Sequence, residues 1–150
     1  MTKHGYDFPM AGNTATMVLY HPQRDEVLLG LRKKDSDAFP DHWSLPGGYL
    51  NVGTETVPQA ATRETKEETS LNIHENRWGM FFVDDKIGSD PRYVQVINLC
   101  YWADVTDEEY NSVVASDDLQ EVKWVKVDDA LEIDLPFNHN EILREFDESL

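Results

Sequence analysis

Apolar residues fall into short blocks along this chain, and their spacing predicts the elements. "TATMVLY" (14–20) and "EVLLGLR" (26–32) read as strands, and the polar turn "HPQRDE" between them predicts an antiparallel hairpin. "WSLPGGYL" (43–50) is a short extended piece broken by Pro46 and two glycines. Thr56, with Pro58 two and Gln59 three positions later, has the spacing of a helix start in which the two polar side chains cap each other's backbone. The helical reading runs to about Thr69. "WGMFFVDD" (78–85) and "RYVQVINLCYWADV" (92–105) predict two long strands separated by the turn "KIGSDP", and "LQEVKWVKV" (119–127) predicts another. "VDDALEI" (127–133) predicts a short helix. "NHNEILREFDESL" (138–150) predicts a terminal helix with Ile142, Leu143 and Phe146 on its apolar side. Strands flanking an early helix, with a second helix at the end, imply an α/β fold in which a mixed sheet is covered on both faces.

The chain has 150 residues with no repeat and no linker, which predicts one domain over 1–150. Its 29 acidic and 13 basic residues give a formal net charge of −16. That balance argues against nucleic acid or an anionic membrane as a partner, since both select basic patches. It would also repel a phosphate substrate unless a bound cation reversed the local sign. Cys100 is the only cysteine, so no intrachain disulfide can form and a reducing compartment fits best. The first twenty residues lack the apolar run of a signal peptide, and no stretch approaches the roughly 20 apolar residues of a membrane span. A cytoplasmic protein is the expectation.

Glu64, Glu67 and Glu68 crowd into five residues of the predicted early helix. Most such clusters are solvated faces. These three, however, are spaced three and four apart, so they can converge on one side, while Lys66 falls off that arc. Three converging carboxylates repel without a cation and become useful with one. Mg²⁺ takes oxygen ligands and completes its shell with water and phosphates. The glycine pair Gly47-Gly48 just upstream gives the chain freedom to turn back toward the helix.

The stretch resembles the signature of the Nudix hydrolases, written G-x5-E-x7-R-E-U-x-E-E-x-G-U with U apolar. Glu55, seven intervening residues, Arg63-Glu64, two more, then Glu67-Glu68 reproduce its second half. Three positions depart from it. Six residues rather than five separate Gly48 from Glu55, Thr65 stands at the first apolar position, and Ser70 replaces the last glycine. The resemblance implies the Nudix fold, a mixed sheet sandwiched between helices. It also implies hydrolysis of a nucleoside diphosphate linked to another moiety, with Mg²⁺, or Mn²⁺ in its place.

Residue by residue, the resemblance implies that Glu67, Glu68 and Glu64 hold metal, with Gly48 as a further ligand, and that Glu64 can instead orient the attacking water. Glu55 and Arg63 would be a structural pair. The catalytic base is not fixed by the motif; Glu121 is the leading candidate, with Asp84, Asp85, Asp117 and Asp118 as others. "FPDHWSLPGGYL" and "LPFNHNEIL" resemble segments of ADP-ribose pyrophosphatases, which implies ADP-ribose as substrate. Phe137 could then stack on a base and His139 donate to a phosphate, or the two could be a core residue and a helix cap. Trp43, Tyr49 and Arg32 are further candidates for substrate contact, Arg32 opening the basic run Arg32-Lys33-Lys34. A nucleoside triphosphate pyrophosphatase and a non-catalytic ligand sensor remain the alternatives. Many family members are homodimers, which leaves a homodimer open here.

Overall fold

The computed structural model describes residues 9–150, so the stretch read for a signal peptide lies, over residues 1–8, outside the described residues. Seven strands form one mixed sheet: β1 (Gly12–His21), β2 (Glu26–Arg32), β3 (Trp43–Ser44), β4 (Gly47–Tyr49), β5 (Gly79–Asp84), β6 (Val96–Asp104) and β7 (Leu119–Lys126). The helices are α1 (Val57–Thr69), the single turns α2 (Asp107–Tyr110) and α3 (Val127–Ala130), and α4 (His139–Ser149), with a 3₁₀ turn at Glu75–Arg77. No helix among them is long and apolar enough to cross a membrane.

β1 is the axis of the sheet. It runs parallel to β6 along nine paired positions, from Gly12↔Val96 to Tyr20↔Asp104. On its other edge it is shared, pairing with β4 at Thr14–Thr16 and with β2 at Tyr20 and His21. The hairpin expected between β1 and β2 is present. β2 continues into the sheet on β7, and β5 closes the far edge antiparallel to β6.

Alternation along these strands builds two cores. Val18, Tyr20, Val27, Leu29 and Cys100 face Ile142, Leu143 and Phe146 of α4, which are the apolar positions expected of that helix. Ala15 and Met17 face Ala61 of α1, while Leu19 and Leu28 pack with Leu71 and Ile73. The result is the three-layer α/β/α arrangement that the pattern predicts.

Three details differ from the sequence reading. β6 begins at Val96, because residues 91–94 remain in the turn where Arg92 folds back onto Asp90 and Gln95 makes only an isolated bridge to Ile87. "WSLPGGYL" splits into two short strands around Leu45-Pro46, paired to different neighbours. A one-turn helix follows β6, started by the reciprocal caps of Thr106 and Glu109.

The departures from the signature inside α1 also become physical. Thr65 is fully buried, and its Oγ1 finds no hydrogen-bond partner, whereas Thr69 Oγ1 donates to the Thr65 carbonyl at 2.7 Å. Ser70 ends the helix in the left-handed region, at φ 68°, where a glycine would be unstrained. Thr65→Val and Ser70→Gly are each expected to raise the stability of the protein, by about 1 kcal/mol, the first by removing an unpaired buried hydroxyl and the second by relieving a left-handed backbone. Chemical denaturation of the two variants checks both.

Candidate active site

Helix α1 begins where the sequence says it should. Thr56 Oγ1 accepts from the Gln59 N–H at 3.3 Å, and Gln59 Oε1 accepts from the Thr56 N–H at 2.9 Å. One turn later Arg63 organises the whole motif. Its Nε and Nη2 grip both oxygens of Glu55 at 2.9 and 2.8 Å, and Nη2 also donates to the Tyr49 carbonyl at 3.0 Å. Nη1 donates to Glu64 at 2.8 Å and to Glu67 at 3.2 Å. The longer loop before Glu55 does not disturb this: a turn from Asn51 to Thr54, with Gly53 at φ 84°, takes up the extra residue. Glu55 then accepts the Asn51 N–H at 2.9 Å.

The three glutamates are not equivalent. Glu64 and Glu68 turn inward and are buried, while Glu67 stays at the rim against Arg63. Glu68 Oε1 accepts the Gly47 N–H at 3.0 Å, joining the helix to the glycine pair. Gly48 lies directly under Glu64: any Cβ there would stand 2.3 Å from that carboxyl. Burial pushes the Glu64 carboxyl up to about 7 against the opposing effect of Arg63, with Glu67 and Asp117 adding to the rise. The Glu68 carboxyl is likewise raised well above its ordinary value, by burial first and then by Glu64.

As they stand, with Arg63 on two of the carboxylates, no three acidic or imidazole groups among the described residues are assembled around a point an ion could occupy. The donor chemistry nevertheless fits a hard divalent cation. Two buried carboxylates of raised proton affinity, with Glu67 beside them on the helix, are all oxygen donors whose repulsion such an ion would relieve.

Beside this bank opens a cavity of about 250 Å³. Of the residues singled out from sequence, Arg32, Gly48, Tyr49, Glu64, Phe137 and His139 line it. Trp43 does not. Its pairing opposite Leu31 turns the ring toward the α4 core, and Lys123 Nζ sits 4.1 Å from its centroid, so the expected substrate contact is replaced by packing. Glu121 also lies outside the lining, exposed on β7 opposite Leu31, whereas Asp117 and Asp118 belong to it. Asp84 is buried under the turn before α4, accepting from Asn138 Nδ2 at 3.0 Å, and Asp85 is exposed away from the cavity.

The residues that sequence reasoning missed are on the β5–β6 hairpin and the sheet floor. Arg92 chelates Asp90 with Nε and Nη2, both at 3.0 Å, and Tyr49 O–H donates to the same carboxylate. The Arg92 guanidinium lies 4.8 Å from the Tyr49 ring centroid. Thr16 Oγ1 bonds Asn98 Oδ1 at 3.0 Å beneath them. Only the Asp-Pro-Arg turn hinted at the first group, and nothing local marked the second.

With this geometry in view, the comparisons with known proteins are decisive. A model of the NUDIX domain matches residues 10–146. The chain belongs to the NUDIX family. An ADP-ribose pyrophosphatase of Methanocaldococcus jannaschii is 30% identical to this NUDIX chain over 125 residues, 83% of it and 68% of that protein. An m7GpppN-mRNA hydrolase of Xenopus laevis is 40% identical over 63 residues, 42% of this chain but only 21% of that one, so this chain spans about a fifth of that relative. Among solved structures, the NUDIX domain of Shewanella oneidensis NrtR complexed with ADP ribose superposes with a TM-score of 0.80 at 26% identity, covering 99% of both chains.

Two predictions concern the NUDIX site itself. Arg63→Gln strands Glu55 and leaves Glu64 and Glu67 unopposed, so it is expected to cost ~2–3 kcal/mol in urea unfolding, with Arg63→Lys failing to restore the two-pronged grip. The second concerns His139. Burial, with Arg32 adding, pushes its imidazole down from 6.5 to about 3. The folded protein therefore binds fewer protons than the unfolded chain between those values. This contribution is complete above about 6.5 and is lost as pH falls toward 3, by up to about 1.4 kcal/mol per pH unit. Unfolding midpoints from pH 7 to 4 are expected to fall less steeply for His139→Asn than for wild type.

Proposed function

We propose that this chain is a divalent-cation-dependent pyrophosphohydrolase that cleaves ADP-ribose to AMP and ribose 5-phosphate. The observation that carries this reading is that carboxylates and guanidiniums line one and the same cavity. Glu64, Gly48, Asp117 and Asp118 line it together with Arg32, Tyr49, Phe137 and the Arg92–Asp90 pair. A diphosphate linked to nucleoside and sugar suits such a cleft. Its anionic centre meets both the cation site and the guanidiniums, and its rings can lie on aromatic faces. The likeness to an ADP-ribose pyrophosphatase and to a domain crystallised with ADP ribose supports the choice of ligand.

Glu64, Glu67 and Glu68, with Gly48, would hold Mg²⁺, or Mn²⁺ in its place. When bound, the ion neutralises this bank, polarises the diphosphate and acidifies a water. Arg63 sets where Glu64 and Glu67 can reach, and Gly47 fixes Glu68. Of the candidate bases named from the sequence, Asp117 and Asp118 reach the cavity, which favours them over Glu121 for accepting the proton of the attacking water. Leu45, Ala15 and Val96 close the wall behind the diphosphate against solvent.

A hydrolysis screen with Mg²⁺ and Mn²⁺ over ADP-ribose, NADH, dinucleoside polyphosphates and nucleoside triphosphates tests the reading. ADP-ribose is expected to turn over fastest, to AMP and ribose 5-phosphate. Glu67→Gln or Glu68→Gln is expected to lower the rate by roughly 100-fold or more with the circular dichroism unchanged. Release of inorganic pyrophosphate from triphosphates would point instead to a nucleotide pyrophosphatase. Tight ADP-ribose binding without turnover would point to a ligand sensor, the reading that the likeness to NrtR also allows.

A further inference from the structure

Around the Phe137 ring the structure gathers hydrogen-bond donors that have nothing to donate to. Arg32 uses only Nε, which donates to the Ala38 carbonyl at 2.8 Å. No carboxylate pairs with it among the described residues, and its Cζ lies 4.9 Å from the Phe137 centroid. Arg92 spends Nε and Nη2 on Asp90, leaving Nη1 without a partner among the described residues, and its Cζ is 5.7 Å from the same ring. His139 is 4% exposed and sits 5.5 Å from Phe137. The Leu45 N–H donates to its Nδ1 at 3.0 Å, so the proton of the neutral ring is on Nε2, and that N–H too has no partner among the described residues. All three side chains line the cavity.

We propose that Arg32, Arg92 and His139 form a phosphoryl-binding seat around Phe137 that holds an anion without any metal. This deepens the reading of the cavity given above, because it assigns one phosphoryl of the diphosphate to protein donors alone and leaves its neighbour for a cation held by the carboxylates.

Charge and geometry agree on the occupant. A half-buried guanidinium is rarely left without an anion, since desolvation has already weakened its hydration. Here two of them also repel: Arg32 is lowered from its ordinary value first by burial and next by Arg92. Glu68, Asp118 and Asp90 only partly offset that field. Guanidinium and imidazole N–H groups converging from different elements match the three oxygens of a phosphoryl group better than the two of a carboxylate. The simpler account is that both arginines merely stack on rings and meet water. It leaves unexplained why, in a chain of net charge −16, two cations face one cavity and only one of them carries an acid.

Titration calorimetry of the metal-free protein in EDTA and low salt, with inorganic pyrophosphate as the probe, decides the matter. Wild type is expected to bind one pyrophosphate saturably, and more weakly as salt rises. Arg32→Gln and Arg92→Gln should each lower the affinity at least ~10-fold, Arg92→Lys less so, and Arg144→Gln, an exposed arginine of α4, not at all. Absence of saturable binding by wild type, or undiminished affinity in Arg92→Gln, overturns the seat. Arg92 is on an exposed hairpin, so its variant remains decisive even if Arg32→Gln proves unfolded. Metal-free binding without ADP-ribose turnover would keep the seat and remove the hydrolase reading; turnover without metal-free binding would do the reverse.

Discussion

The grip of Arg63 on Glu55 is the constraint on which the rest of the site depends. A guanidinium has five N–H donors in a fixed plane, and here each finds an acceptor: two on Glu55, one on the Tyr49 carbonyl, one on Glu64 and one on Glu67. One side chain thereby fixes the end of β4, the loop after it and the acidic face of α1. The Glu55 side chain is held below the usual carboxylate range, chiefly by its bonds to Arg63, so this tie stays ionised over the working range of pH. A loop one residue longer than the signature allows is tolerated because the tie is made after the loop. The slack collects in the turn at Gly53.

From that anchor follows a local balance of charge that the bulk composition hides. An overall charge of −16 suggests a surface hostile to phosphates. Within the cavity, however, acids from α1 and the loop before β7 meet guanidiniums from the end of β2 and the β5–β6 hairpin, and the hairpin's own acid, Asp90, is taken up by Arg92. Their proximity is mutual tuning: Arg32 lowers the proton affinity of Glu68, and Glu68 raises that of Arg32. A diphosphate in this cavity would meet attraction from the guanidiniums at once and from the carboxylates only with a cation present.

What was legible in the sequence were the features set by local spacing. Thr56 with Gln59, the 63–68 cluster and the apolar face of α4 depend on residues three or four apart, and the helix realises them directly. Functions that depend on pairing between distant strands were not legible. Trp43 and Glu121 are both placed opposite Leu31 on β2, one on each side of it, and neither assignment can be read from its own neighbourhood. Arg92 was hidden in the opposite way. It follows a proline in what reads as turn and strand, and its role arises only because Tyr49, forty-three residues earlier, reaches Asp90.

The turn that presents Phe137 shows that the site is not simply the most stable arrangement of this chain. Phe137 and Asn138 are both left-handed, at φ 57° and 63°. Asparagine tolerates that region, but for phenylalanine it costs about 1–2 kcal/mol. Neighbouring bonds enforce it: Asn138 Nδ2 to Asp84, the His139 N–H to the Pro136 carbonyl at 3.0 Å, and Asn140 clamped between the Leu135 N–H and the Ile133 carbonyl. A relaxed turn would release Phe137 from the cavity and separate it from Arg32. The strain therefore buys a ring held between Phe39 and two arginines, and buried Asp84 serves this purpose as a clamp for the turn.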